Sequence, residues 1–170
     1  MRARRAKTAL LALCLPLAAC AASLSGTTGD QTIPPMEIGY ITRVYERDGE
    51  RMIDVDRIEW LTGDAAEAAL RADDPTCAED HRGCTPPNGY YVRNQEKTAQ
   101  PLALGPGTTV FLQTFDPARV ESDRPVTVRE FLDVVRGEGG GVAERFKRVP
   151  FWIQRAGDGS VASIREQYIP

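Results

Sequence analysis

The chain has 170 residues, 21 of them basic and 24 acidic, with a formal net charge of −3 and a single histidine. That length suits one domain with a full core, and 42% hydrophobic with 26% charged residues is an ordinary globular composition. A mildly acidic balance argues against nucleic acid as a partner and against electrostatic adhesion to anionic lipid.

Arg2, Arg4, Arg5 and Lys7 crowd the start of the chain, and residues 8–17 are mostly Leu and Ala, broken only by Cys14 and Pro16. A basic head, a short apolar run and a small-residue end form the layout of a secretory signal. The run is too short for a bilayer, which needs about 20 apolar residues. It closes on Leu17-Ala18-Ala19-Cys20, a string that resembles the lipobox of bacterial lipoproteins. The resemblance implies that the Cys20 thiol receives a diacylglyceryl group and that a peptidase cuts just before it. The new amine is often acylated in turn, with palmitate or a similar chain. Residues 1–19 are then a signal peptide, and Cys20 is the membrane anchor. The competing reading is ordinary signal-peptidase cleavage after Ala19, Ala21 or Ala22, which leaves no lipid. One acyl chain holds a protein only marginally; two or three, at about 0.8 kcal/mol per buried CH₂, hold it stably. Ala21, and not Asp, follows Cys20, which resembles cargo sent to the outer membrane of two-membrane bacteria. The expected location is therefore the extracytoplasmic face of the cell envelope.

Loss of residues 1–19 removes four basic residues, leaving 17 against 24 acidic, a net of −7. It also removes Cys14. With Cys20 lipidated, Cys77 and Cys84 are the remaining pair. In an oxidising compartment the expectation is a disulfide, worth about 2–3 kcal/mol on the chain-entropy model.

Residues 20–35 are small and polar, ending in Pro34-Pro35. They read as a lipid-anchored flexible tether with a reach of about 20 Å, and residues 36–170 as a single domain. Residues 36–61 read as a β-hairpin. Ile38, Tyr40, Thr42 and Val44 alternate with their neighbours, and Asp48-Gly49 suits a primed turn. Ile53 and Val55 differ in parity from Ile58 and Trp60, which predicts a bulge near Asp56-Arg57. A helix follows over 62–72, capped by Thr62 or Asp64. Residues 73–88 read as loop. Strands are expected over 89–93, 101–104 and 108–115, with Gly105-Pro106-Gly107 turning the chain between the last two. Thr127 and Glu130 form a capping box, and Val126 with Phe131 a hydrophobic staple. Phe131, Leu132 and Val135 make the buried stripe of that helix. Residues 151–153 and 161–169 form a final hairpin around Gly157-Asp158-Gly159, with the apolar Tyr168-Ile169 docked. The fold class is α+β: a small curved antiparallel sheet, with an OB-like barrel as one option, and two helices.

Candidate chemistry is sparse. His81 lies between Cys77 and Cys84, so a zinc site with both cysteines and a carboxylate competes with the disulfide; the disulfide is preferred. Asp54 and Asp56 share one strand face and could hold Ca²⁺ or act as an acid/base pair; a solvated sheet face is the simpler reading. Residues 137–141 are glycine-rich but follow a helix and lack a P-loop Lys-Ser/Thr, so no cofactor is implied. Tyr90 and adjacent Tyr91 must point to opposite faces, so one can offer a ligand platform. Arg145, Lys147 and Arg148, beside Phe146, Phe151 and Trp152, could grip an anionic polymer or an envelope protein.

The strings 56–63, 90–94, 151–153 and 166–170 are similar to small secreted bacterial domains of unassigned function. That similarity implies no activity. The expectation is a lipid-anchored binding or structural module whose partners are the membrane through Cys20 and an envelope protein or polymer. A small extracytoplasmic hydrolase or metal-dependent enzyme is the alternative.

Overall fold

A computed structural model describes residues 36–79, 83–116, 119–136 and 148–169, with the side chains of 114–122 left aside. The signal segment, Cys20, the tether, His81, residues 137–141, Arg145 and Lys147 lie outside the described residues.

The first hairpin forms as its alternation demands. β1 (Glu37–Arg47) and β2 (Glu50–Arg57) pair antiparallel. Asp48 and Gly49 join them, both at positive φ (55° and 80°), as a primed two-residue turn requires. Ile41, Ile53 and Val55 point inward and are buried. The predicted bulge falls elsewhere. Ile41 opposes Val55 while Arg43 opposes Asp54, so the extra residue is Thr42, on β1. The parity change after Val55 has another cause: the chain leaves the barrel at Ile58, whose N–H donates to the Ile38 carbonyl at 3.0 Å.

β3 (Glu59–Thr62) opens an excursion that includes α1 (Gly63–Asp73), a short 3₁₀ turn (Pro75–Glu79) and β4 (Tyr90–Arg93). β3 and β4 form their own two-stranded ribbon. Thr62 is the cap residue of α1, without a side-chain cap bond. Cys77 and Cys84 stand at disulfide distance, with Cα atoms 4.9 Å apart.

β5 (Ala99–Asp116) is one strand where two were predicted. Gly105-Pro106-Gly107 does not turn the chain. The register passes from Leu104 opposite Val161 to Thr109 opposite Ser163, so the glycines and proline form a bulge inside a continuous strand. That bulge lets β5 leave β2, which it pairs through Ala99–Ala103, and join β8. β6 (Arg119–Val126) was not foreseen. It is polar and carries Pro125, as an edge strand can. At its irregularity the Gln113 N–H donates to the buried Glu166 carboxylate at 2.7 Å.

α2 (Val128–Arg136) follows the predicted capping box. The Glu130 N–H donates to Thr127 Oγ1 (3.1 Å), and the Thr127 N–H donates to Glu130 Oε2 (2.8 Å). Both staple residues, Val126 and Phe131, belong to the core. β7 (Phe151–Arg155) and β8 (Val161–Glu166) make the last hairpin. The end of the chain docks differently from expectation. Tyr168 stays 43% exposed, and Gln167 holds the segment instead, accepting from Trp152 Nε1 at 2.7 Å and donating its N–H to the Pro150 carbonyl at 2.9 Å.

Strands β1-β2-β5-β8-β7 close into a ring, because β2 also pairs with β5 and β1 with β7. All pairings are antiparallel except β5 with β8. The fold is thus an α+β, OB-like closed barrel with two helices. Its interior is filled by Ile41, Ile53, Val55, Leu102, Val110, Phe151, Ile153, Val161 and Ile164, with Phe131 and Leu132 of α2 in the same cluster. No described helix is long and apolar enough to cross a membrane.

Candidate functional site

Two faces meet where the excursion joins the barrel. The first is the outer face of β1 and β2. Since Ile41 and Val55 point in, the paired residues Tyr40 and Asp56 point out. Asp54 shares that face, as its spacing predicted. The two carboxylates do not work as a pair, because each is engaged separately. Asp54 Oδ1 accepts from the Tyr45 hydroxyl at 3.0 Å, and the Arg43 guanidinium lies 4.7 Å from the Tyr45 ring centroid. Asp56 Oδ2 accepts from Asn94 Nδ2 at 2.8 Å.

The second face belongs to the β3–β4 ribbon. Its register sets Trp60 opposite Val92, Thr62 opposite Tyr90, Leu61 opposite Tyr91 and Glu59 opposite Arg93. The two-residue period therefore splits the ribbon. One side carries Trp60, Thr62, Tyr90 and Val92; the other carries Glu59, Leu61, Tyr91 and Arg93 and meets α1. On the helix side Arg93 grips Asp73 through Nε (2.9 Å) and Nη2 (3.1 Å), and Nη2 also donates to the Ala69 carbonyl at 3.0 Å. The Tyr91 hydroxyl donates to Asp73 at 3.1 Å. Tyr90 and Tyr91 thus point apart, as adjacent strand residues must, but Tyr91 is tied to the helix and Tyr90 is left for the junction.

The Arg93 contact, then that of Tyr91, holds the Asp73 carboxyl below its ordinary range. A depressed folded pKa means stability that is present above the unfolded value of about 3.9 and is lost as pH falls through the lower folded value. Amide exchange in α1 should therefore accelerate as pH drops below about 4, after correction for the intrinsic pH dependence of exchange. Arg93→Gln should remove that acid step; an unchanged step would show that Asp73 does not lock the helix.

On the junction side the Trp60 and Tyr90 rings stack, with centroids 4.2 Å apart and planes 14° from parallel. Burial first, then the neighbouring Tyr90 and Asp56, push the Tyr40 phenol above its ordinary value. Asp56 Oδ1 and Asn94 Oδ1 are buried and have no hydrogen-bond partner among the described residues. Such atoms are uncommon in folded proteins. A separate cleft of about 290 Å³ is lined by Arg57, Ile58, Glu59, Arg93, Gln95 and Glu96, including Glu59 and Arg93 from the helix side of the ribbon and none of Asp56, Trp60, Tyr90 or Asn94. Arg57 is paired with Glu37 at 2.7 Å.

The other sequence candidates do not converge here. Arg148 is exposed next to β7, and its companions Arg145 and Lys147 are outside the described residues. Cys77 and Cys84 consume each other's thiols as ligands. No group of three or more His, Cys, Asp or Glu among the described residues could hold a metal ion. Asn94 and Tyr40 were not foreseen as site residues, and Trp60 was read only as a strand residue. The usable signal was the two-residue period of 58–62 and 90–94, which puts Trp60, Tyr90 and Asn94 on one side. Comparisons of this chain with protein-family models, with curated proteins and with solved structures find no match.

Proposed function

We propose that this protein is a cell-envelope lipoprotein, a ligand-binding barrel held at the membrane through a lipid on Cys20. The N-terminal sequence supports the tether: the basic head, the short apolar run and Leu17-Ala18-Ala19-Cys20. With two or more acyl chains the barrel needs no membrane-binding surface of its own, and its outer surface is free for a ligand. One observation carries the binding role. The excursion and the barrel enclose two acceptor oxygens, on Asp56 and Asn94, that no described residue satisfies, beside a stacked aromatic pair. Leaving such atoms bare costs about 1–3 kcal/mol each, a cost removed only by a donor that enters between the excursion and the barrel, since both oxygens are buried. The fold alone would carry no such conclusion, since barrels of this kind serve many functions.

Cys20→Ser should move the protein from the membrane fraction to the soluble fraction, and co-sedimentation of the variant with lipid would refute the anchor. A photo-crosslinking residue at the exposed Gln95 should give a covalent adduct in intact cells. The same probe at Arg51, on the far end of β2, should not. Equal labelling at both places, or none at Gln95, would remove the binding seat.

A further inference from the structure

We infer that the excursion over residues 59–93 is a hinged flap that swings against the barrel as one body, and that the two bare oxygens of Asp56 and Asn94 set its balance between shut and open. The inference rests on the binding role proposed above for its purpose, the admission of a ligand, and adds how the seam opens.

Inside the excursion the ties are many. β3 pairs with β4 along its whole length. Arg93 and Tyr91 hold Asp73 of α1, and Arg93 also reaches the Ala69 carbonyl. Trp60 stacks on Tyr90, so that contact too stays within the excursion. Across to the barrel the ties are few. The β3–β4 ribbon is a sheet of its own and pairs with no barrel strand. Among the described residues, one side-chain hydrogen bond crosses the seam, from Asn94 Nδ2 to Asp56 Oδ2 at 2.8 Å. A segment bound tightly within and loosely without opens as a unit. The two joints suit such a motion. Ile58 alone separates β2 from β3, and its N–H donates to the Ile38 carbonyl of β1 at 3.0 Å. The second joint, residues 94–98, has neither strand nor helix, and beyond Asn94 it is exposed. Hinges are short stretches of this kind at element ends, where the backbone dihedrals are free to change.

The balance follows from what closing does to polar atoms. Shut, the seam buries Asp56 Oδ1 and Asn94 Oδ1 with no donor among the described residues. Open, water satisfies both. The half-buried rings of Tyr40, Trp60 and Tyr90 favour the shut state by leaving water, so the two effects oppose each other. A ligand whose donors meet both oxygens removes the penalty from the shut state alone. Such differential affinity is what shifts a two-state equilibrium. The flap is therefore loose when empty and tight when filled.

Hydrogen exchange of the full-length protein in detergent micelles reads the motion at the Ile58 amide, whose acceptor lies across the joint. It should exchange at least about a hundredfold faster than the Ile53 amide in the core of β2, while the amides paired between β3 and β4 stay slow. The double variant Asp56→Leu with Asn94→Leu removes both bare oxygens together with the bond across the seam. If that bond merely held the excursion down, Ile58 exchange would quicken. Under the inference it slows at least about tenfold, because apolar groups at both positions carry no burial penalty. Circular dichroism checks that the variant folds, and the wild-type comparison of Ile58 with Ile53 stands without it. Core-like protection of the wild-type Ile58 amide overturns the inference, and so does quicker exchange in a folded double variant. Fast Ile58 exchange without a crosslinked adduct at Gln95 keeps the flap and retires the ligand; an adduct with core-like exchange keeps the ligand and retires the flap.

Discussion

Phe131→Ala should destabilise the protein by about 3–5 kcal/mol, the range for truncating a fully buried phenylalanine. Phe131 is 0% exposed. It stands at the fourth position of α2, where the capping box fixes the entry of the helix and the Phe131 N–H donates to the Thr127 carbonyl at 3.0 Å. Its ring meets Phe151 of β7 edge-on, with centroids 5.9 Å apart and planes at 75°, a favoured aromatic geometry. The ring is thus the bolt between the helix and the barrel wall. The strands around it are hydrogen-bonded into a closed ring and cannot collapse into the space. Such rigidity pushes the cost toward the upper end of the range, because residual cavity volume adds to the lost transfer energy. Urea unfolding followed by tryptophan emission measures it. A loss below about 1 kcal/mol would mean that α2 contributes little to the core.

Gly39→Val should be the second severe change. Gly39 is the residue at which β1 changes neighbours: it registers with Arg57 of β2 and with Phe151 of β7. A Cβ there would stand 2.6 Å from the Asp56 carbonyl oxygen and 2.7 Å from Val55 Cγ1. One obstacle is backbone in a paired strand, so neither a rotamer change nor a small shift relieves it. Overpacking of this kind costs about 1–3 kcal/mol and occasionally more, and valine adds two methyls to the clash. The displaced Asp56 backbone also carries one wall of the junction. Thermal unfolding should show a Tm lowered by several degrees, and Gly39→Ala should give a smaller shift in the same direction. A wild-type Tm for the valine variant would show that β1 and β2 can part without penalty.

The sequence made the barrel legible wherever a local rule operated. Asp48-Gly49 permits one turn geometry, and Thr127 with Glu130 satisfies the first amides of a helix; both elements formed as read. The errors arose where distant partners decide. Gly105-Pro106-Gly107 looks like a turn in isolation, yet β2 on one side and β8 on the other keep the strand going. β6 lacks an apolar face of its own and exists because β5 offers it an edge. The candidate site follows the same logic. Tyr90 was legible because adjacent strand residues must diverge. Asn94 was not, since its meaning depends on Asp56, 38 residues away in the chain. Cys77 and Cys84 needed only their own short loop.

The closed ring dictates an order of events during synthesis. β7 and β8, the last strands made, lie between the first strand and the longest one. While the ribosome is still producing them, β1 and β5 each present an unsatisfied margin, and such margins template association between molecules. Sequestration of those margins must wait for the tail, so a nascent or prematurely terminated chain lacking Phe151–Glu166 is adhesive.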